Sequence, residues 1–213
     1  MSLSQTHTVN FNFQTTYYSN GNTKAKHLWV VLHGYGQLAP YFIQKFSFLD
    51  DKAFVVAPQG LSLFYLQGTS GRVGASWMTK ENRQMAINNY ISYLDHTYRI
   101  GYKEMNLQPK SISMLGFSQG VSTLIRWLVS SQISFDKLVM CAGSFPEDIE
   151  LVSSRKVFSG KPCYYFYGDQ DPYIKEDSID RLGEKFQHYG LQVKFLKFAG
   201  KHEVPQSLIQ QLV

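Results

Sequence analysis

Residues 111–129, SISMLGFSQGVSTLIRWLV, change their apolar period in the middle. From Ile112 to Phe117 the chain is a short, nearly continuous apolar run, which suits a strand buried on both faces. From Val121 onward, Val121, Leu124, Ile125 and Leu128 follow helical spacing and define one stripe. Between the two lies Gly116-Phe117-Ser118-Gln119-Gly120, a match to G-x-S-x-G. A serine on a sharp strand-to-helix turn has strained backbone angles that lift its Oγ above the sheet. Only small residues two positions to either side avoid the neighbouring backbone. A bare pentapeptide of this kind is a common structural Gly-Ser turn, but the flanking strand and helix make Ser118 a candidate nucleophile.

The same alternation extends in both directions. Leu28–Leu32, Ala53–Val56, Leu138–Cys141, Cys163–Tyr167 and Val193–Phe198 are further short apolar runs, and two more helical stripes stand between runs: Ile87, Ile91, Leu94 and Tyr98, then Ile179, Leu182, Phe186 and Tyr189. Such a pattern implies an α/β protein, with a mostly parallel sheet covered on both sides and right-handed crossovers. Val9, Phe11 and Phe13 alternate with polar neighbours and lead to Asn20-Gly21-Asn22, which reads as an antiparallel N-terminal edge hairpin. The 213 residues can bury roughly 70% of their surface in one core, so residues 1–213 are read as a single domain.

Composition removes other classes. The chain is 44% hydrophobic and only 17% charged, far from the signature of disorder. Its 21 Lys and Arg against 16 Asp and Glu give a net charge of +5, but the cations are scattered, which argues against a nucleic-acid partner. The first residues, MSLSQTHTVNFNFQTT, lack a basic and then apolar leader, and no apolar stretch is long enough to span a bilayer, so a cytoplasmic protein is expected. Cys141 and Cys163 fall at opposite ends of neighbouring strands and are expected to be reduced. The six histidines show no two-His ligand spacing, so neither a metal nor a cofactor is implied.

A serine hydroxyl is a poor nucleophile without a base to take its proton and an acid to hold that base in the right tautomer. Downstream of Ser118, Asp169 and Asp171 lie in YGDQDPY after one strand, and His202 lies in AGKHEVP after the last. All therefore come at the carboxyl ends of strands, where open α/β sheets place their ligand crevice. His202 is the candidate base. The two aspartates are not separated by spacing: Asp171 precedes Pro172 and suits a helix N-cap, whereas Asp169 suits a turn. Acyl transfer also needs N–H donors for a developing oxyanion. The backbone N–H groups of Gln119 and of Tyr35, within His33-Gly34-Tyr35-Gly36, are the candidates. The long stretch from Pro58 to Met78 is rich in glycine and apolar residues. It is read as a pocket wall, with Phe64, Tyr65, Trp77 and Met78 as substrate-binding residues and Arg72 as an aid to anionic substrates.

LHGYG (Leu32 to Gly36), GFSQG (Gly116 to Gly120), GDQDP (Gly168 to Pro172) and KHEVP (Lys201 to Pro205) together resemble the four motifs of the carboxylesterase/phospholipase family of α/β-hydrolases, to which the acyl-protein thioesterases belong. The resemblance covers nearly the whole chain in order and spacing. It implies a three-layer α/β-hydrolase fold with no cap domain, and a serine hydrolase that cleaves carboxylic esters or thioesters of small or acyl-chain substrates through an acyl-serine intermediate. It favours Asp171 over Asp169 as the acid and supports Tyr35 and Gln119 as oxyanion donors. The chain departs from the family pattern at Val121, where a second glycine is frequent, at Gln37, where an acid is usual, and at Tyr167, which precedes Gly168 in place of a histidine. Rival expectations are an amidase or peptidase-like hydrolase and a hydrolase fold that binds without turnover. Peptidase relatives usually carry a further domain, and intact Ser118, Asp171 and His202 argue against a pure binding module.

Overall fold

The computed structural model describes residues 4–175 and 177–213. Its centre is a seven-stranded sheet in the order β1-β3-β2-β6-β7-β8-β9. The strands are β1 (Tyr17–Gly21), β2 (His27–Leu32), β3 (Ala53–Pro58), β6 (Ser111–Phe117), β7 (Lys137–Cys141), β8 (Cys163–Gly168) and β9 (Val193–Phe198). All six apolar runs picked from the sequence are strands, and each of the pairings from β3 to β9 is parallel. They can be continuously apolar because both faces are covered. Leu28, Val30 and Leu32 of β2 join a core with α2 (Arg83–Glu104) and α3 (Gln119–Ser131), while Trp29 and Val31 join a second core with α1 (Ala39–Phe42) and a 3-10 helix (Ile43–Leu49). Two layers of helix thus enclose the sheet, with α4 (Leu151–Phe158) and α5 (Asp177–His188) beside α3, and α6 (Gln206–Gln210) on the opposite face. Among the described residues no separate cap domain interrupts this series.

The stripe of α3 is wholly buried, whereas those of α2 and α5 bury Ile87, Leu94 and Phe186 and leave their other members half-buried against the core. Val121, Leu124, Ile125 and Leu128 of α3 are fully enclosed, as is Trp127, whose indole N–H donates to Asp95 Oδ1 at 2.8 Å. Arg126 on the same helix is also buried, and it is paired with Asp148, which Arg83 bridges in turn. A guanidinium can sit there because its charge and N–H groups meet a carboxylate.

At the N-terminal edge the antiparallel strand exists, but its partner differs from the simplest expectation. β1 pairs with β3, not with the following β2, because β2 is already flanked by β3 and β6. The alternating segment Val9 to Phe13 forms no strand and its apolar side chains are exposed. The long stretch after β3 is not an irregular loop. It contains a two-stranded antiparallel hairpin, β4 (Ser62–Tyr65) with β5 (Val73–Ser76), whose base is tied to the turn after β2 by Gly36 N–H to Ala75 O at 2.8 Å.

Candidate active site

Ser118 occupies the junction of β6 and α3 with φ 52° and ψ −118°. That conformation costs a non-glycine residue on the order of 1–3 kcal/mol and persists only where its surroundings impose it. Here the surroundings are backbone. A Cβ at Gly116 would lie 2.6 Å from Gly120 O, and one at Gly120 would lie 2.3 Å from Leu32 O. Glycine at both positions lets β2, β6 and α3 close around the serine.

The residue after the serine anchors a second element. Gln119 Nε2 donates to Met78 O at 2.9 Å and its Oε1 accepts from Trp77 N at 3.1 Å, so the end of the β4–β5 hairpin is fastened to the start of α3. Trp77 itself is buried, its indole N–H donating to His33 O at 2.9 Å and its ring 5.0 Å from that of His33. His33 is neutral for a structural reason. Its Nε2 accepts the Gly60 N–H at 3.0 Å and its Nδ1 donates to Gly34 O at 2.8 Å, while burial lowers its pKa to about 4. The turn that follows is equally committed: Gly34 N–H donates to Gln37 Oε1, Gly36 N–H to Ala75 O, and Gln37 N–H to Gly34 O.

The two aspartates have separate tasks. Asp169 Oδ1 accepts from Gly200 N at 3.0 Å, tying the loop after β8 to the loop after β9. Asp171, whose side chain is fully buried, accepts from Tyr173 N at 2.8 Å through Oδ1 and meets His202 Nδ1 at 2.7 Å through Oδ2. The ring of His202 is held between Phe117 and Tyr173, each with its ring centroid 4.8 Å away. Because Nδ1 faces a carboxylate, it carries the proton, and Nε2 is left as the basic nitrogen.

Ser118, Gln119, His202 and Tyr35 all line one open cavity of about 800 Å³. Its other walls are the segment after β7 (Ala142 to Ser144), Tyr173 and Ile174 after β8, and one face of α5. Phe64, Tyr65, Trp77 and Met78 do not line it. Trp77 is drawn inward by the His33 carbonyl, Met78 packs against the core, Phe64 lies against Tyr35 with ring centroids 5.0 Å apart and planes tilted by 31°, and Tyr65 is exposed on the hairpin. Arg72 lies on a separate cavity of about 500 Å³ with Leu66, Tyr41 and Lys45. The residues that line the cavity in their place, Tyr173, Ser178, Arg181 and Lys185 among them, went unnoticed in the sequence. The spacing of Ser178, Arg181 and Lys185 on one side of α5 was the available signal. Among the described residues no group of three or more His, Cys, Asp or Glu is arranged to hold a metal ion, and no helix is long and apolar enough to cross a membrane.

Residues 16–213 match the model of the phospholipase/carboxylesterase family, and the chain belongs to that family of α/β-hydrolases. It is a hydrolase of the carboxylesterase type. No curated protein sequence matches it significantly. Among solved structures, a carboxylesterase from Mesorhizobium loti superposes with a TM-score of 0.73 at 14% identity, covering 92% of both chains. An acyl-protein thioesterase 2 from Zea mays gives 0.69 at 13% identity over 93% of this chain and 96% of its own, and the esterase PE8 gives 0.67 at 18% over 92% and 98%. At these identities the structures share the fold with this chain.

Proposed function

We propose that the protein is a serine esterase that cleaves carboxylic esters, and thioesters by the same steps, through an acyl-Ser118 intermediate. The observation that carries this reading is the 2.7 Å contact between His202 Nδ1 and the buried Asp171 carboxylate, at a cavity that Ser118 and His202 share. His202 Nε2 takes the proton of Ser118 Oγ as the oxygen attacks the substrate carbonyl carbon. Asp171 holds the imidazole in the required tautomer and stabilises the imidazolium that forms. The tetrahedral oxyanion is received by the backbone N–H groups of Gln119, in the first turn of α3 where no intrahelical acceptor exists, and of Tyr35. The neighbouring N–H groups of Gly34, Gly36 and Gln37 have partners already, which leaves Tyr35 as the donor of that turn. Each donor contributes about 3 kcal/mol of transition-state stabilisation. Collapse of the intermediate breaks the bond to the alcohol or thiol, which leaves with the proton from His202. Water, deprotonated by His202, then attacks the acyl-serine and releases the acid.

Two measurements test the reading. A fluorophosphonate should label the folded protein once, on Ser118, and Ser118→Ala should abolish labelling and lower kcat by on the order of 10⁶. Folded, unlabelled wild-type protein without turnover of any short ester would overturn it.

A further inference from the structure

Helix α5 presents Ser178, Arg181, Leu182 and Lys185 to the cavity that holds Ser118 and His202, at intervals of three and four residues. This is one face of a helix, and two of its four residues are cations. No described residue of the cavity lining is acidic. The one hydroxyl on this face, Ser178 Oγ, donates to Lys175 O at 2.5 Å, and Tyr165 Oη across the cavity donates to Gly143 O at 2.9 Å. The polar character that α5 offers a ligand is therefore a guanidinium and an ammonium.

Both cations have carboxylate neighbours outside the lining. Lys185 Nζ is 2.5 Å from Glu147 Oε1, and Arg181 is 3.9 Å from Asp177 in an i,i+4 pair. These acids are exposed, with side-chain accessibilities of 83% and 75%, so each pair is weak and is screened by salt. Arg181 is itself 77% exposed and Lys185 30%, so an anion is met at the open mouth of the cavity, where two donors of one helix face reach it together, whereas each present carboxylate partner engages only one of them.

We infer that the substrate of this esterase carries an anionic group, a carboxylate or a phosphate, beyond its scissile ester, and that Arg181 and Lys185 bind that group. The inference rests on the esterase reading above and adds a substrate class to it. It also moves the expected cation from Arg72, which faces a different cavity, to α5. Guanidinium suits either anion through paired N–H donors, and the ammonium adds a point charge.

The test compares kcat/KM within pairs of esters of matched size. Mono-p-nitrophenyl adipate against p-nitrophenyl hexanoate places the charge on the acyl side. The butanoyl esters of 4-hydroxybenzoate and of 4-hydroxyphenyl phosphate, each against that of 4-hydroxybenzamide, place it on the leaving group as carboxylate or phosphate. In the wild-type protein the anionic member of at least one pair should be favoured by on the order of tenfold or more. Arg181→Gln and Lys185→Gln should each shrink that ratio, the double variant should bring it to about one, and raising the salt concentration should compress it in the wild type. A ratio at or below one in every pair, or a ratio that the double variant does not move, overturns the inference while leaving the esterase reading intact. Failure to cleave any member of any pair overturns both.

Discussion

Gln37 Oε1 accepts the backbone N–H of Gly34 at 2.9 Å, spanning the turn in which Tyr35 sits. By accepting that one N–H the amide side chain fixes the turn. Gln37→Glu preserves an acceptor there and should keep kcat/KM within about threefold. Gln37→Ala leaves Gly34 N–H without its partner and lets the Tyr35 N–H drift, and it should lower kcat by on the order of tenfold with little change in KM. Steady-state kinetics on one short ester read both.

The division of labour between Asp169 and Asp171 gives a paired result. Asp171→Asn offers His202 Nδ1 an amide that favours the wrong tautomer, and kcat should fall by about 10⁴. Asp169→Asn keeps an oxygen able to accept the Gly200 N–H and should lower kcat by no more than about fivefold. The opposite order, measured on protein shown to be folded by circular dichroism, would exchange the two assignments.

Glycine substitutions should split in sign. A Cβ at Gly120 would meet Leu32 O at 2.3 Å and His33 O at 2.8 Å, and since both are backbone atoms, Gly120→Ala should destabilise by about 3 kcal/mol or more in urea denaturation. At Gly183, inside α5, a Cβ would meet Phe195 at 3.5 Å, an ordinary contact. Gly183→Ala should stabilise by about 0.5–1 kcal/mol.

His33 imposes a pH dependence on stability. Its pKa falls from the ordinary imidazole value of 6.5 to about 4 because burial disfavours the charged ring. Between those values the unfolded chain binds the proton and the native protein does not, so stability rises with pH across that window and is lost as pH falls from about 6.5 toward 4. The full contribution is about 3 kcal/mol. Imidazole nitrogen shifts should report a neutral His33 with its proton on Nδ1 at pH 5.5. A protonated His33 at that pH would contradict the arrangement with Gly60 N–H.

Most of the framework was legible because buried parallel strands and their helices leave strong periodic signals, and Gly116 to Gly120 sat between two of them. What was not legible depended on competition between partners. The alternation of Val9, Phe11 and Phe13 says that one face could be buried, but the open edge of β3 is taken by Tyr17–Gly21. Trp77 has the size and hydrophobicity of a pocket residue, yet an indole N–H needs an acceptor, and the His33 carbonyl supplies one in the core. Asp169 and Asp171 stand two residues apart on one loop, and only the fold of that loop sends one carboxylate to Gly200 and the other to His202. Ser62-Leu63-Phe64-Tyr65 lies in a glycine-rich context that masked its strand, and the short helix Leu151–Phe158, capped by Glu150, is too brief for periodicity to stand out.

Both cysteines are free and buried, Cys141 within β7 and Cys163 at the start of β8, and burial pushes the Cys163 thiol up to about 12 and raises that of Cys141 as well. Thiols held in the protonated form and shut away from solvent react poorly with electrophiles. The native chain is in effect silent to maleimide chemistry. A single cysteine introduced on the β4–β5 hairpin, at the exposed Leu63 for example, would then be the only addressable thiol, giving one labelling position on the element that Gln119 fastens to the start of α3.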